Sequence, residues 1–315
     1  MTVPNFVIAG AARSGTTALA EGLRTHPQVF ITAPKEPHYF GLHGKRLDFR
    51  GPGDAATINR VAVTDRQAYL DLYPREHTFA ALGDGSVSTL YYADHAAPEI
   101  LTVNPRMRVV VLLREPIDRA FSSYSYMRAR GFEPAEDFLA AVADEPRRKD
   151  EHWHHLWHYA SMSHYARQLS TLYEALGREQ VGVWFYDDMA TDYEGTVRSV
   201  LRFLDLPEHP AEAVGVPRVN VSGTPRLPAM QRVIWATTRN ELLRSSVKRV
   251  TSFRFRERVR RKSLRSTNVA TEARTAMQDR FTTDLREVAR LVDGPAPPWL
   301  ALHRPADGSS GGEAP

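Results

Sequence analysis

The segment from Phe6 to Leu19 constrains the fold of this chain more than any other, because it predicts a strand, a tight turn and a helix in succession. It begins with a short apolar run, FVI, that is typical of a buried strand. Gly10 and Gly15 then permit a backbone path that larger side chains would block. Thr16 opens a helix whose apolar residues recur at helical spacing. Such a turn directs several backbone N–H groups and the positive end of a helix at one point, which suits a phosphate group.

This turn is nearly a Walker A loop, but it lacks the lysine of that motif. G-x-x-x-x-G-K-[ST] requires a lysine at the position of Thr16, whereas the cation of this loop comes earlier, at Arg13. A nucleoside triphosphatase is therefore disfavoured, and another phosphate-bearing ligand is favoured over a turn without a ligand. The loop residues that we expect to hold this ligand are Arg13, Ser14, Gly15, Thr16 and Thr17.

A second motif, RVVVLLREPIDRAFS, begins at Arg108. Its continuous apolar run is typical of a parallel strand that is covered on both faces. Pro116 suits the first turn of a following helix. Arg114 is then expected at the carboxyl end of a strand, with Ser122 about two helical turns beyond it. The alternative for Arg114 is a surface ion pair with one of the carboxylates that follow it.

Together, these motifs resemble those of sulfotransferases that use 3′-phosphoadenosine 5′-phosphosulfate (PAPS). The RSGTT loop resembles the family's 5′-phosphosulfate loop, and Arg13 keeps the charge of the lysine that many members carry there. Arg114 and Ser122 resemble the family's 3′-phosphate site. The later segment NVSGTPR resembles a loop that reaches the 3′-phosphate in some relatives, which implies a donor contact for Arg226. The likeness covers most of residues 5–300.

A third segment, PKEPHYF, resembles the K-E-x-x-F-F segment of the glycan-modifying branch of this family. Its two prolines bracket Lys35 and Glu36 and hold them extended, because a residue before proline avoids the helical region. In that branch the glutamate is the general base, so the resemblance implies that Glu36 removes the proton of the acceptor hydroxyl. His38 is the second candidate for the base, and its alternative role is packing beside the aromatic residues that follow it.

One segment departs from the family pattern. The sequence GDGSVSTLYY resembles a family segment often written G-E-K-S-P-x-Y, yet Gly85 stands where a lysine is common. If that lysine neutralises the transferring sulfonate in relatives, Arg13 or Lys35 has to compensate here. This departure keeps open a second function, that of a non-catalytic protein that binds adenosine bisphosphate or another polyanion.

The function that the resemblance implies is the transfer of a sulfuryl group from PAPS to an acceptor hydroxyl by in-line displacement. The acceptor would be a small molecule or a glycan: a saccharide, a glycolipid or a secondary metabolite. Adenosine 3′,5′-bisphosphate (PAP) would be released, and no metal ion is required. A P-loop nucleotide kinase or hydrolase is the remaining alternative. The sequence makes no prediction of the oligomeric state.

The alternation of strands and helices predicts an α/β fold, with a central parallel sheet flanked by helices. This agrees with the P-loop-like sulfotransferase fold that the resemblance implies. A further strand is expected at 181–185. Ligands of such sheets bind beyond the carboxyl ends of the strands, where Arg13 and Arg114 are both expected. We expect one sulfotransferase domain over residues 1–304 and a disordered C-terminal tail over 305–315, which is small and polar.

The composition limits the environment and the chemistry of the chain. It contains no cysteine, which excludes disulfides, thiol catalysis and cysteine-ligated metals, and fits a cytoplasmic location. No window approaches the ~20 apolar residues of a membrane helix, so we expect no stable membrane insertion. The abundance of alanine and arginine resembles that of bacterial proteins from GC-rich genomes.

Two further segments have alternative interpretations. Residues 239–265 carry eleven lysines and arginines against two glutamates, in a chain of formal net charge +4. No nucleic-acid-binding signature accompanies them, so we expect a solvated face that steers an anionic donor or acceptor and no nucleic-acid partner. His154 and His158 have the i, i+4 spacing of a zinc site, but no H-E-x-x-H motif is present. We expect their segment to line the acceptor cleft or to pack.

Overall fold

The computed structural model describes residues 2–207, 224–225, 264–265 and 269–305 of the chain. Its main sheet consists of the strands β1 (Phe6–Gly10), β2 (Val29–Ile31), β3 (Ala81–Asp84), β4 (Arg108–Leu113) and β5 (Val181–Phe185). Within the described residues they form one five-stranded sheet in the order β2-β3-β1-β4-β5. Every neighbouring pair is parallel. The predicted parallel sheet and the strand at 181–185 are confirmed.

Helices connect and cover these strands. The α-helices are α1 (Thr16–Leu23), α2 (Tyr39–Leu42), α3 (Ile58–Val61), α4 (Arg66–Leu70), α5 (Ser88–Tyr91), α6 (Ala93–Val103), α7 (Pro116–Ala129), α8 (Phe138–Ala143), α9 (Glu145–Asp150), α10 (Tyr165–Leu176), α11 (Tyr186–Thr191), α12 (Tyr193–Phe203), α13 (Thr271–Leu291) and α14 (Pro298–Ala301). Short 3₁₀ turns lie at Asp54–Ala56, His155–Trp157, Ser161–Ser163 and Arg178–Gln180. The strands β6 (Thr224–Pro225) and β7 (Leu264–Arg265) contain two residues each and form an antiparallel pair.

The sheet has an apolar core on each face. In the central strand β1, Phe6 and Ile8 belong to one core, while Val7 and Ala9 belong to the other. Helices α1 and α12 pack on the first face, and α6, α7, α10 and α13 pack on the second. Because both faces are covered, β1 and β4 read as continuous apolar runs rather than as alternating ones.

Strands β2 and β3 have no counterpart among the sequence-based predictions. They contain only three and four residues, and β3 has the sequence ALGD, which carries a weak strand preference. They become strands through pairing, since β3 lies between β1 and β2 in the sheet. Tertiary context, rather than local sequence, creates β3, whereas β2 has the strand-favouring sequence VFI and is short.

All five strands are parallel, so their carboxyl ends meet at one edge of the sheet. The RSGTT loop follows β1, the PKEPHYF segment follows β2, and Gly85 follows β3. Arg114 follows β4 directly, and Tyr186 follows β5. The same edge of the sheet therefore carries the RSGTT loop, the PKEPHYF segment, Gly85 and Arg114.

Some predictions fall outside the described residues. Arg226, most of the basic segment 239–265 and the tail from 306 onward belong to this part of the chain. The assignment of one domain to residues 1–304 stays a prediction. Among the described helices, none combines the length and the apolar character needed to cross a membrane.

Candidate active site

The loop between β1 and α1 forms the centre of the site. Gly15 has a φ of 94° and precedes the first residue of α1, and a Cβ atom there would overlap the methyl group of Met189. Arg13 also lies in the left-handed region, with a φ of 70°. No described side chain caps the start of α1. Because the first N–H groups of a helix have no partner within the helix, they are available to an anion.

The two arginines of the sequence motifs meet at this loop. Arg114 donates a hydrogen bond from Nη1 to the carbonyl oxygen of Arg13 over 3.1 Å, although the two residues are 101 positions apart. Arg13 in turn donates from Nε to Oγ of Ser122 over 3.3 Å. Both guanidinium groups and this serine line one cleft. The cleft thus concentrates positive charge and hydrogen-bond donors, which is the chemistry that binds phosphate groups.

The carboxylates that follow Arg114 have other partners. Glu115 accepts a hydrogen bond from the backbone N–H of Asp118 over 2.7 Å and so caps helix α7. Arg274 of helix α13 forms an ion pair with Glu115 over 3.1 Å and a second one with Asp118. In the described part of the chain, Arg114 forms no ion pair with either of them. The alternative of a surface salt bridge within the motif is therefore wrong.

Two tyrosines support the guanidinium groups, and the sequence motifs did not include them. Arg13 lies over the ring of Tyr126 at 4.5 Å from its centroid, and Arg114 lies over the ring of Tyr186 at 4.5 Å. Such cation–π contacts hold the planar groups in place. Tyr126 follows Ser122 by four residues on α7, and Tyr186 directly follows β5. The spacing of four residues from Ser122 could have identified Tyr126, and its position directly after a strand could have identified Tyr186.

The loop after β2 brings a lysine and a carboxylate to the same cleft. Lys35 donates from Nζ to Oε1 of Glu36 over 2.8 Å and to Oγ1 of Thr16 over 3.3 Å. Glu36 lines the cleft, and its Oε2 lies 3.9 Å from Nε2 of His38. Lys35 therefore connects the candidate base to the RSGTT loop.

The charges around Glu36 and His38 set their protonation states. Burial raises the pKa of Glu36, but the positive charge of Lys35, together with His38 and Arg13, outweighs it and lowers the pKa below its usual value. Burial lowers the pKa of His38, Lys35 adds to this effect, and Glu36 opposes it. Near neutral pH the site therefore holds an ionised carboxylate beside a neutral imidazole.

His38 is held by two serines of the next loop. Its backbone N–H donates to Oγ of Ser86 over 2.9 Å, and its ring Nδ1 lies 2.9 Å from Oγ of Ser88. These contacts leave Nε2 as the ring atom that approaches Glu36. The histidine is thus oriented by its surroundings rather than packed only by the adjacent aromatic residues.

Lys35 lies beside Gly85, the position at which the sequence departs from the family pattern. A Cβ atom at Gly85 would overlap Cε of Lys35 and lie 3.2 Å from its Nζ. The backbone N–H of Gly85 also donates to the carbonyl oxygen of Lys35 over 2.8 Å. An ammonium group therefore reaches the RSGTT loop from position 35, in the space where a side chain at position 85 would begin.

Most predicted site residues lie on the wall of this cleft. Those that line it are Arg13, Gly15, Thr16, Thr17, Glu36, Arg114 and Ser122. His38 lines a neighbouring cavity instead. Ser14 is fully buried and is not part of the cleft wall. Arg226 lies outside the described residues.

The two histidines with zinc-like spacing have separate partners. Nε2 of His154 lies 3.2 Å from Oδ1 of Asp54, and Nδ1 of His158 lies 2.8 Å from the hydroxyl group of Tyr91. Across the described residues, no three histidine or carboxylate side chains are grouped so that they could hold a metal ion. That the site works without a metal stays a prediction.

Comparisons with known proteins agree with this geometry. The sulfotransferase domain model matches residues 4–215, which is more than half of the chain. A solved sulfotransferase from Alicyclobacillus acidocaldarius aligns over 95% of this chain and 99% of its own, with a TM-score of 0.72 and 25% identity.

Two curated relatives match a smaller part of the chain. Carbohydrate sulfotransferase 15 from Mus musculus is 29% identical over 181 residues, which cover 45% of this chain and 30% of the relative. The bifunctional heparan sulfate N-deacetylase/N-sulfotransferase 2 from Bos taurus is 27% identical over 130 residues, which cover 41% and 13%. The alignments span less than a third of these relatives. Since the domain model covers all five strands of the main sheet and all three motifs, this chain belongs to the sulfotransferase domain family.

Proposed function

We propose that this protein transfers the sulfuryl group of PAPS to the hydroxyl group of an acceptor. The observation that carries the proposal is the meeting of Arg13 and Arg114 in one cleft, where the second arginine holds the main chain of the first. PAPS carries phosphate groups at both ends of its ribose, so it requires two anion sites at the correct separation. A single phosphate-binding loop would not explain the second arginine.

The donor is held by the two motifs in distinct ways. The N-terminus of α1, Arg13 and the hydroxyl groups of Thr16 and Thr17 bind the 5′-phosphosulfate. Arg114 and Ser122 bind the 3′-phosphate and thereby position the sulfur for attack. The residues present fit this ligand, because the described cleft wall offers two guanidinium groups and several hydroxyl donors.

The reaction is an in-line displacement at sulfur. The acceptor oxygen forms a bond to the sulfur, the bond between sulfur and the 5′-phosphate oxygen breaks, and its electron pair leaves with PAP. The acceptor proton passes to Glu36. Arg13, Lys35 and the backbone N–H groups of the loop stabilise the charge that develops on the leaving oxygen.

Glu36 is the base that the site supports best. It lies on the cleft wall, and its lowered pKa keeps it ionised near neutral pH. His38 is the second candidate, because its neutral ring lies beside Glu36 and faces the neighbouring cavity.

The two rival functions have weaker support. A nucleotide kinase or hydrolase would lack its loop lysine, since Thr16 stands there. Gly85 favours a non-catalytic nucleotide-binding protein, because it stands where the family commonly has a lysine. However, Lys35 brings an ammonium group to Thr16 through the space beside Gly85, which supports a catalytic site.

The test combines binding with transfer. We expect PAP to bind in titration calorimetry and radiolabelled PAPS to transfer its sulfuryl group to at least one hydroxyl acceptor without added metal. Hydrolysis of ATP that depends on magnesium, without use of PAPS, would support the kinase or hydrolase. Tight PAP binding without transfer to any acceptor of a broad panel would support the non-catalytic protein. The bacterial origin and the cytoplasmic location stay predictions.

A further inference from the structure

A fully buried carboxylate lies at the end of β3, and the proposed reaction gives it no role. Asp84 is 0% exposed. Its Oδ1 accepts a hydrogen bond from the backbone N–H of Ser86 over 2.8 Å, and its Oδ2 accepts from the hydroxyl group of Tyr69 over 2.7 Å. Burial raises the pKa of Asp84, and the hydrogen bonds of Ser86 and Tyr69 oppose this increase. Because a buried charge is costly without such donors, both contacts hold the carboxylate in place.

The two residues that follow this carboxylate hold the segment of the candidate base. The backbone N–H of Gly85 donates to the carbonyl oxygen of Lys35 over 2.8 Å. The backbone N–H of His38 donates to Oγ of Ser86 over 2.9 Å. Glu36 lies between these two points of attachment in the sequence. The loop after β3 therefore holds the main chain on both sides of Glu36.

The main chain of His38 has a conformation that needs such support. Its φ is 60°, in the left-handed region that residues other than glycine rarely adopt. Conformations of this kind persist where the surrounding contacts hold them, and the hydrogen bond to Ser86 is one of these contacts. Nε2 of His38 lies 3.9 Å from Oε2 of Glu36. A rotation of the main chain at His38 would therefore change the position of the imidazole relative to the carboxylate.

The other oxygen of the carboxylate is connected to two buried tyrosines. The hydroxyl group of Tyr73 lies 2.8 Å from that of Tyr69. Since Tyr69 donates to Asp84, Tyr73 is the donor in this pair. Burial and the negative charge of Asp84 raise the pKa of both phenols, so both are neutral near neutral pH. The ring of Tyr69 also stacks on that of Tyr39 in α2, with centroids 4.3 Å apart. The complete hydrogen-bond network consists of Tyr73, Tyr69, Asp84, Ser86 and His38.

We propose that Asp84 is a positioning residue for the proton transfer, because it fixes the loop that holds the main chain on both sides of Glu36. Asp84 is not among the described residues of the donor cleft wall, so it acts through Gly85 and Ser86. A base has to lie within hydrogen-bond reach of the proton that it removes, and a displacement of about 1 Å can cost roughly 100-fold in rate. The inference rests on the proposed sulfuryl transfer and adds a residue to it.

Two substitutions near the base test this role. Ser86→Ala removes the acceptor of the His38 N–H, and Asp84→Asn removes the negative charge at nearly constant volume. We expect kcat for transfer from PAPS to fall about 10- to 100-fold in each variant. The dissociation constant of PAP should stay unchanged, since the proposed donor contacts come from other loops. Ser86→Thr keeps the hydroxyl group and should retain more activity than Ser86→Ala.

Tyr73→Phe is the matched control. It removes a buried hydroxyl group of the same network, at the end that is farthest from Glu36. The contacts of Asp84 with Ser86 and of Ser86 with His38 remain, so kcat should stay unchanged. Equal losses of kcat in Tyr73→Phe and Asp84→Asn would show a general loss of packing and would overturn the inference.

Amide hydrogen exchange gives a second readout that needs neither donor nor acceptor. The His38 N–H should exchange about tenfold faster in Ser86→Ala, because it loses its hydrogen-bond acceptor. A smaller increase is expected in Asp84→Asn and none in Tyr73→Phe. The circular dichroism spectrum confirms that each variant is folded. If Asp84→Asn does not fold, Ser86→Ala carries the test.

The outcomes separate this inference from the proposed function. Unchanged kcat and unchanged exchange at His38, in a folded Asp84→Asn or Ser86→Ala, would overturn the positioning role and leave the sulfotransferase assignment intact. A loss of activity that is explained by weaker PAP binding alone would also overturn it. An unsubstituted protein that does not use PAPS would contradict the proposed function, and the exchange at His38 would still show whether Asp84 holds this segment.

Discussion

Nη1 of Arg114 donates a hydrogen bond to the main-chain carbonyl oxygen of Arg13 over 3.1 Å. This contact joins the end of β4 to the loop after β1, so it links the two motifs that we propose to bind the donor. The residue whose carbonyl group accepts this bond, Arg13, has a left-handed backbone conformation with a φ of 70°. Arg114→Ala would remove this contact, whereas Arg13→Ala would keep the carbonyl group that accepts it.

Removal of the second guanidinium should weaken donor binding. Arg114→Ala removes the support of the Arg13 carbonyl group and, in the proposed complex, a charged contact to the 3′-phosphate. Hydrogen bonds to charged groups contribute ~1.5–3 kcal/mol, so we expect the dissociation constant of PAP to rise about 10- to 100-fold in calorimetry. Arg106→Ala is the control, because Arg106 is exposed just before β4, at the opposite end of that strand. Unchanged PAP affinity in Arg114→Ala would contradict the assignment.

The loop arginine should affect the rate more than the fold. In the proposed reaction, Arg13→Ala removes the cation that stabilises charge on the leaving phosphate oxygen, so we expect kcat to fall by about 100-fold or more. The circular dichroism spectrum should stay unchanged. Arg75→Ala is the control, since the side chain of Arg75 is 92% exposed. Full activity of Arg13→Ala would rule out this role.

The pH dependence of the reaction rate should identify the general base. The pKa of Glu36 is lowered from its ordinary value of 4.5, and a base is active when deprotonated. The rate should therefore hold as the pH falls from neutrality and decline only below about pH 4.5. Glu36→Gln should reduce kcat by roughly 100-fold or more and leave PAP affinity within about twofold.

Two comparisons accompany this profile. Glu76→Gln, at an exposed position, should behave as the unsubstituted protein. His38→Asn should reduce kcat less than Glu36→Gln. A larger loss in His38→Asn, with the acid limb retained in Glu36→Gln, would make the histidine the base.

Gly85 and Lys35 should be coupled. Gly85→Ala places a methyl group against Cε of Lys35 and displaces its Nζ from Thr16. Because Lys35 is flexible, the free energy of unfolding should change by less than about 1 kcal/mol, while kcat falls. The double variant Lys35→Met/Gly85→Lys should recover part of the activity that Lys35→Met loses. Full activity of Gly85→Ala would show that the position of Lys35 is unimportant.

A buried ion pair between Arg148 of α9 and Glu133 should stabilise the fold without affecting the candidate active site. The side chains of Arg148 and Glu133 are both 0% exposed, and Nη2 of the arginine lies 2.8 Å from Oε1 of the glutamate. Arg148→Met leaves an unpaired buried carboxylate, so the free energy of unfolding in urea should fall by ~3–5 kcal/mol. The double variant Arg148→Met/Glu133→Leu should recover part of that loss, because Glu133 also accepts from the backbone N–H of Ala135 and the hydroxyl group of Tyr159. Equal losses in the single and double variants would contradict the pairing.

Local sequence was sufficient for the elements whose signals are short-range. Apolar runs identified β1, β4 and β5, and the glycines of the first turn identified the tight turn between β1 and α1. Pro116 marked the start of α7, where the structure places it in the first turn. These features depend on backbone preferences and strand burial, which neighbouring residues determine.

Side-chain partners were not predictable in this way. Arg274 binds Glu115 across 159 positions of sequence, and His154 binds Asp54 across 100 positions through its backbone N–H. Ser14 belongs to the predicted loop, but the fold buries it away from the cleft. Contacts of this kind depend on which elements pack together, and a single sequence carries no direct signal of them.

By itself, the sequence determined the chemistry at the ends of the strands: a glycine turn with an arginine, a second arginine after an apolar run, and a carboxylate between prolines. Only the tertiary structure decided that these groups share one cleft and that an apolar cavity adjoins it. The physical reason is that strand character and turn geometry are local properties, whereas a cleft is formed by the parallel alignment of strands that are distant in the chain.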